Sequence, residues 1–444
     1  MLWLDGETQD VHALMDIARR IDAAGGTAYL VGGAVRDRLL HRPIGDHDFC
    51  VTGLTAQDFA KVVPDAFVTG KAFPVFRVKL GAHHVEWALA RTEVKTSSGH
   101  TGFAAYAAPD VRIEEDLRRR DVTVNAMAVA LLTGELVDPF GGAVDLAGKT
   151  LRAVSSAFSE DPLRVYRVAR FAAQLGFTVE GDTLSRMAAL KGELSTLSVE
   201  RVFQELHKAL LGTTPSLFIE TLRQADVLDV HFPEVAALIG VEQPLRYHPE
   251  GDAYNHTLQV IDVTARRGQP ACVRYAALVH DVGKSLTPRD QWPAHPGHEM
   301  RGVPLVRALS QRLRVPTIWR KGAVFATQYH MLLHGWQKMR PATIVDLYTK
   351  ARRSALGVAG FAAVCEADER GRNRANAPCP DIEEWLTLYR RLEDEVSGES
   401  LLAQLPAVQD AASGKAFGEA LRRARIAYVR HYLRARSDAP HMPT

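Results

Sequence analysis

The sequence predicts an α/β head followed by an all-helical remainder, on three observations. Up to about Lys149, short apolar runs at 29–31, 49–51, 75–80 and 85–89 alternate with helical stretches. Beyond Ala157 the periodicity turns helical, at 163–175, 184–190 and 202–211, broken by Gly or Pro. A turn-rich break at 242–251 and an Asn- and Pro-rich stretch at 373–381 then divide the helical part. With 444 residues there is ample length for two or more domains. The expected map is an N-terminal helical extension at 1–27, a head at 28–150 and a helical neck and body at 151–245. A histidine-rich helical domain at 246–375 and a basic helical tail at 376–444 complete it.

Composition narrows little. The apolar fraction of 46% and the charged fraction of 24% suit a globular chain. Lys plus Arg at 54 against Asp plus Glu at 52 leaves +2, so a basic surface for nucleic acid must be local. Cys50, Cys272, Cys365 and Cys379 are scattered without CxxC spacing, which argues for a reducing compartment and against a zinc finger or disulfide frame. The start carries Asp5, Glu7 and Asp10 where a signal peptide needs basic then apolar residues, and no apolar run reaches membrane-spanning length. The expectation is a cytoplasmic protein.

In the head, 28–31 reads as a short buried strand, Gly32-Gly33 as a turn, and 34–40 as a helix that begins where backbone meets phosphate. A glycine pair alone describes many ordinary turns. The strand at 46–51 alternates, so Asp46 and Asp48 project to one side and His47 to the other. On a solvated edge strand that spacing carries no chemistry, but here Phe49, Cys50 and Val51 continue it as a buried strand. Carboxylates held together there repel unless a cation neutralises them, and hard oxygen ligands suit magnesium. On the strand at 84–90, Glu86 is a candidate third carboxylate, for metal coordination or for taking a proton from an attacking hydroxyl. It reads equally as an exposed edge-strand glutamate.

Residues 91–109, with Ser97-Ser98-Gly99-His100-Thr101-Gly102 and little apolar periodicity, read as a mobile loop beside the site. Charges crowd 114–126 just before an apolar stretch read as a helix. A charge run is usually a solvated face; at an inner edge, however, Arg120 grips phosphate and Asp121 accepts from ribose hydroxyls. The turn Asp138-Pro139-Phe140-Gly141-Gly142 closes the head. The next helix opens at Glu160-Asp161-Pro162 and carries Arg164, Arg167 and Arg170 at every third position. One reading is a basic solvated face. The other is a template for a nucleobase edge: the Asp161 carboxylate accepts from an exocyclic amino group and the Arg164 guanidinium donates to a ring nitrogen or carbonyl. Cytosine and adenine present that amino donor beside an acceptor, whereas uracil and guanine do not. One good contact pair discriminates by about 1–3 kcal/mol, roughly 5- to 150-fold.

Four stretches in order, 30–37, Asp46-His47-Asp48, 119–126 and 160–171, together resemble the bacterial class II tRNA nucleotidyltransferases, the CCA-adding enzymes. The likeness runs from about Tyr29 past Arg372. It implies a polymerase-β-like nucleotidyltransferase head, then an all-α neck, body and tail. It also implies addition of C, C and A to tRNA 3′ ends from CTP and ATP without a nucleic-acid template. Carried over, Asp46 and Asp48 hold two magnesium ions, Gly33 and Arg36 the triphosphate, and Asp121 the ribose. Arg120, Arg167 and Arg170 complete the nucleotide site, with Glu160, Asp161 and Arg164 reading the base. The implied chemistry is in-line attack of an RNA 3′-hydroxyl on the α-phosphate with pyrophosphate leaving.

In the helical half, His256, His280-Asp281, His295, His298 and His330 spread over about seventy-five residues, the spacing of an HD-type metal phosphohydrolase. Asp368 offers a further carboxylate. CCA-adding enzymes of the gamma- and betaproteobacterial kind are similar in carrying such an HD domain. The resemblance implies phosphatase, 2′-nucleotidase and 2′,3′-cyclic phosphodiesterase activities and a preference for nickel. Met331 departs from the pattern, following His330 where relatives tend to show Asp. Two alternatives remain: a poly(A) polymerase sharing the head, and an RNA-end phosphohydrolase whose head only binds RNA. The arginines at 421–436 contact the RNA backbone or form a solvated helix. A monomer or a homodimer fits the sequence, and a membrane partner does not.

Overall fold

The structure, a computed structural model, describes residues 8–69, 74–81, 83–95, 103–372, 379–400 and 415–438. The strands are β1 Thr27–Val31, β2 Asp48–Thr52, β3 Phe67–Thr69, β4 Val75–Leu80, β5 His83–Leu89, β6 Thr92–Lys95, β7 Phe103–Tyr106, β8 Ala128–Ala130, β9 Leu136–Val137, β10 Thr150–Leu151 and β11 Thr178–Val179. The first helices are α1 Thr8–Ala23, α2 Gly33–Leu39, α3 Ala56–Val62, α4 Ile113–Arg118, α5 Gly142–Ala147, α6 Arg164–Leu175, α7 Gly181–Ala189, α8 Lys191–Leu194, α9 Val199–Leu210 and α10 Ser216–Gln224. There follow α11 Leu228–His231, α12 Pro233–Ala236, α13 Ala253–Arg266, α14 Ala271–Val279, α15 His298–Arg312, α16 Thr317–Tyr329, α17 Pro341–Arg353, α18 Gly357–Arg370, α19 Pro380–Asp394 and α20 Lys415–Asp438. Two compact units result: residues 1–209 with 217–230, and residues 210–216 with 231–444.

The first unit is built on a seven-stranded mixed sheet in the order β3-β4-β5-β2-β1-β8-β9. β1 pairs antiparallel with β2 and β8, whereas β2 runs parallel to β5. The centre of the sheet is apolar: Leu30, Phe49, Val51 and Trp87 are buried, and the Phe49 and Trp87 rings stack at 4.4 Å. α1 buries Val11, Leu14, Ile17, Ala18 and Ile21, the spacing of one apolar helix stripe.

Four local readings are corrected. The stretch read as a loop at 91–109 contains the antiparallel pair β6 and β7, with Thr92 opposite Tyr106; strands of four residues are too short for periodicity to register. Its segment Ser97 to Gly102 lies outside the described residues. The apolar stretch after Asn125 is strand β8, not a helix. Ala128, Val129 and Ala130 are all buried, and burial on both faces erases the alternation that marks a strand. β2 begins at Asp48, so Asp46 precedes the strand. Likewise α6 begins at Arg164 after a 3-10 turn at Ser156–Glu160.

In the second unit, α14 is apolar along its length, with Val273, Tyr275, Leu278 and Val279 buried, and it ends at His280. Gly283 lies so close to α15 that a Cβ there would stand 2.0 Å from the carbonyl of His298. Glycine is therefore required where the His-Asp turn meets the start of α15. A separate core gathers Trp336, Tyr348, Phe361, Trp385 and Val429 from the later helices.

Candidate active site and metal centre

Strand pairing assembles the head site from distant stretches. Val31 lies opposite Asp48, and Glu86 lies beside Asp48 across the β2–β5 pair. The turn after β1, Asp48 and Glu86 thus lie on neighbouring strands in the middle of the sheet. Gly32 has φ +71°, and a Cβ there would stand 2.7 Å from Arg120 Nη1. Both the turn and the arginine require glycine, so the demand falls on Gly32. A Cβ on Gly33 meets only Arg36 Nη2, at an ordinary 3.6 Å.

A cleft of ≈ 720 Å³ opens here, lined by Gly33, Arg36, Asp46, Asp48, Arg120, Asp121, Asp161, Arg164, Arg167 and Arg170 among others. Eight arginines face five aspartates in its lining, a field suited to a polyphosphate. Asp48 is open to solvent on the cleft side, yet desolvation by the surrounding protein raises its pKa. Arg120 opposes that, while Glu86 and Asp46 raise it further. Asp48 thus feels the charges of both Asp46 and Glu86, and hard oxygen donors of this kind suit a divalent cation such as magnesium. Glu86 is held by Arg77 at 2.5 Å and lines a second cavity of ≈ 480 Å³ that shares Asp46 and Asp48 with the first.

The arginines are fixed from behind. Arg36 donates to Asp37 and, at 2.7 Å, to Asn125 Oδ1. Arg119 and Arg120 share the buried Asp116. Arg167 pairs with Asp121 at 2.5 Å, and Arg170 with Glu205 at 2.5 Å. The Phe171 ring stands 4.0 Å from the Arg170 guanidinium, with Arg167 at 5.7 Å and Arg36 at 5.8 Å. Burial pushes Asp121 up, but the charge and hydrogen bond of Arg167 and the charge of Arg164 outweigh it, leaving its pKa at about 2. Asp161 accepts from the Leu163 amide at 3.0 Å and faces Arg201 at 3.8 Å. Arg164, nearly buried, donates to the carbonyls of Ala157 and Arg119, which fixes its plane. Glu160 ends the 3-10 turn and is not among the lining residues. Sequence reasoning did not find Phe171, Arg201 and Glu205 as site residues. The one available signal was the Arg201–Glu205 charged pair, one turn apart in a helix that buries Val202 and Leu206.

The second unit gathers His256, His280, Asp281, His298, His330 and Asp368. The Nδ1 atoms of His280, His298 and His330 lie on the carbonyls of Ala277 (2.7 Å), His295 (2.9 Å) and Thr327 (3.1 Å). A carbonyl only accepts, so Nδ1 carries a proton, and in the neutral ring Nε2 presents a lone pair. Those Nε2 atoms converge on Asp281: His280 stands 3.3 Å from Oδ2, His298 and His330 3.1 and 3.4 Å from Oδ1. His256 Nε2 lies 2.9 Å from Asp368 Oδ1. His280 Nε2 and Asp281 Oδ1 are buried without a hydrogen bond among the described residues. Buried orphan donor atoms with this nitrogen and oxygen set fit a transition-metal ion. His330 reaches the cluster with Met331 beside it, half-exposed at the mouth of a ≈ 160 Å³ cavity that Lys284 and Arg372 also line. Burial pushes Asp281 up, but the charges of His280 and Lys284 hold it well below the usual carboxylate range. Glu250, His334 and Arg372 also touch the cluster and were not singled out from the sequence. His295 instead donates through Nε2 to the Glu242 carbonyl, outside the ligand set.

Residues 28–152 match the poly A polymerase head domain family, 176–239 the probable RNA and SrmB-binding site of polymerase A, and 253–352 the HD domain. Fold and sites define a nucleotidyltransferase that carries an HD metal-dependent phosphohydrolase domain in the same chain. A Methylococcus capsulatus relative named multifunctional CCA protein is 44% identical over 426 residues, 93% of this chain and 96% of that one. A Nitrosococcus oceani relative of the same name is 45% identical over 412 residues, 90% and 97% of the two chains. The chain belongs to the multifunctional CCA protein family. Among solved structures, a Thermotoga maritima CCA-adding enzyme complexed with tRNA aligns with a TM-score of 0.63 and 22% identity, over 96% of this chain and 92% of that one. A CCA-adding enzyme with ATP gives 0.64 and 22%, over 96% and 91%, and one with CTP gives 0.62 and 22%, over 96% and 91%. At that identity the likeness shows the fold. Among the described residues, no helix is long and apolar enough to cross a membrane.

Proposed function

We propose that the head adds and repairs the 3′-terminal CCA of tRNA from CTP and ATP, releasing pyrophosphate, in the cytoplasm. The observation that carries this reading is the cleft in which Asp46 and Asp48, with Glu86 beside Asp48 on the neighbouring strand, meet an arginine-rich wall and the Asp161–Arg164 pair. Magnesium held by Asp46 and Asp48 supplies charge neutralisation at the reacting phosphate. Arg36, Arg120, Arg167 and Arg170 bind the triphosphate from the basic wall. Asp121, ionised at neutral pH, accepts from the ribose hydroxyls. Asp161 and Arg164, fixed by backbone contacts, accept from and donate to the base edge, which favours cytosine and adenine. The RNA 3′-hydroxyl attacks the α-phosphate, that P–O bond forms, and the bond to pyrophosphate breaks. Glu86, beside Asp48, takes the hydroxyl proton or completes the metal site. The names of the relatives and the ATP, CTP and tRNA complexes of similar enzymes support this reading.

We propose further that the His256, His280, Asp281, His298, His330 and Asp368 cluster holds a divalent transition metal such as nickel and hydrolyses phosphate esters at RNA ends. Phosphatase, 2′-nucleotidase and 2′,3′-cyclic phosphodiesterase reactions fall in that class. The convergent Nε2 lone pairs support it. Single radiolabelled nucleotides supplied to tRNA lacking CCA test the head reading. Incorporation of CTP, then ATP, is expected; incorporation of ATP alone would make the head a poly(A) polymerase.

A further inference from the structure

We infer that Glu250 is the positioning residue of the HD centre, fixing His256 and strengthening it as a metal ligand. The inference rests on the reading of the histidine cluster as a metal site. His280, His298 and His330 sit at helix ends, where carbonyls three or four residues back accept from their Nδ1 atoms. His256 lies inside α13, and its Nδ1 meets no helix carbonyl but Glu250 Oε1, at 2.7 Å.

Glu250 comes from the turn-rich stretch before α13, and its side chain has no solvent exposure. Oε1 also meets His248 Nδ1 at 2.8 Å, and the His248 and His256 rings cross edge to face at 4.8 Å. A carboxylate acceptor behind His256 fixes its Nδ1–H tautomer and draws electron density towards Nε2, the atom 2.9 Å from Asp368. The neutral carbonyls behind the other three histidines orient the ring but polarise it less. Glu250 does not line the cavity at the centre, whereas His248 does. It therefore acts through His256 and not on a substrate.

The full-length chain, stripped of metal by a chelator and titrated with Co2+, tests this by calorimetry and by the visible ligand-field bands of bound cobalt. Glu250→Gln is expected to weaken Co2+ binding roughly 10- to 100-fold and to shift the bands. Its metal-free melting temperature and CTP incorporation should match the wild type. In a cycle with His256→Ala, adding Glu250→Gln should cost less than about twofold more, because the effect runs through the missing ring. Wild-type affinity in Glu250→Gln, or losses that multiply in the double variant, would overturn the inference. If Glu250→Gln fails to fold, Glu250→Asp, one methylene shorter, withdraws the carboxylate from Nδ1 and reads the same quantity. A wild-type chain that binds no Co2+ overturns the metal reading itself, a different result.

Discussion

The two sites solve the problem of holding charge in opposite ways. In the head, the carboxylates are open to a wide cleft, and arginines with permanent charge line its wall. In the HD unit the groups are buried, the ligand set joins histidines to two aspartates, and each histidine ring is locked by a hydrogen bond from behind. A cleft whose substrate brings its own negative charge, and with it a cation, has no need to be complete beforehand. A site that must bind a metal on its own has its lone pairs aimed in advance. The head is an electrostatic cradle; the HD cluster is a built coordination shell.

The largest expected effect separates them. Asp46→Ala with Asp48→Ala should lower nucleotide addition by on the order of 10³-fold and leave phosphate-ester hydrolysis intact. His280→Ala with Asp281→Ala should do the reverse. If hydrolysis fell with the head variants, the comparison would collapse to one site. Next comes the scaffold of the arginine wall. Glu205→Ala leaves Arg170 buried without its carboxylate, at a cost of about 3 kcal/mol that a urea melt of the full chain reads. An unchanged melt would show that Phe171 and Gln174 suffice to hold Arg170. Smaller again, Asp161→Asn should bring UTP and GTP incorporation closer to that of CTP and ATP by roughly 5- to 150-fold. Unaltered selectivity would move base reading elsewhere in the cleft.

What the sequence shows of each region follows from where the residues lie along the chain. The central strands and most helices are visible because long apolar periodicities leave little choice. β8 is not, since Ala128, Val129 and Ala130 are buried on both faces, and β6 and β7 are too short to carry a period. The head residues stand in compact stretches such as Asp46-His47-Asp48 and 160–170, so their chemistry can be read locally. Glu205 and Arg201 come from a helix thirty residues further on, and only the fold brings them to Arg170 and Asp161. The HD residues are histidines, rare enough to stand out at any spacing. Glu250 is hidden in a turn-rich stretch where a glutamate is ordinary. Its role depends on the fold bringing its carboxylate to His256 Nδ1, which no residue pattern records.

The difference in partners also predicts how the head responds to acid. Asp121 has a depressed carboxyl, at about 2 when folded against an ordinary 3.8, and its partner Arg167 keeps its charge throughout. The ion pair therefore contributes stability in full above about pH 4 and loses it as pH falls through the folded value near 2. The contribution is about 2 kcal/mol by linkage. Asp121→Asn removes it, so the variant should be less stable than the wild type at pH 7, and the gap between them should close between pH 4 and 2. Urea melts of both chains across that range measure it. A gap that stays constant down to pH 2 would mean that Asp121 does not gain its charge from Arg167. The arginine wall would then be held without Asp121, by Asp37, Asp116 and Glu205, and the cradle would lose the carboxylate that links α6 to the turn before β8.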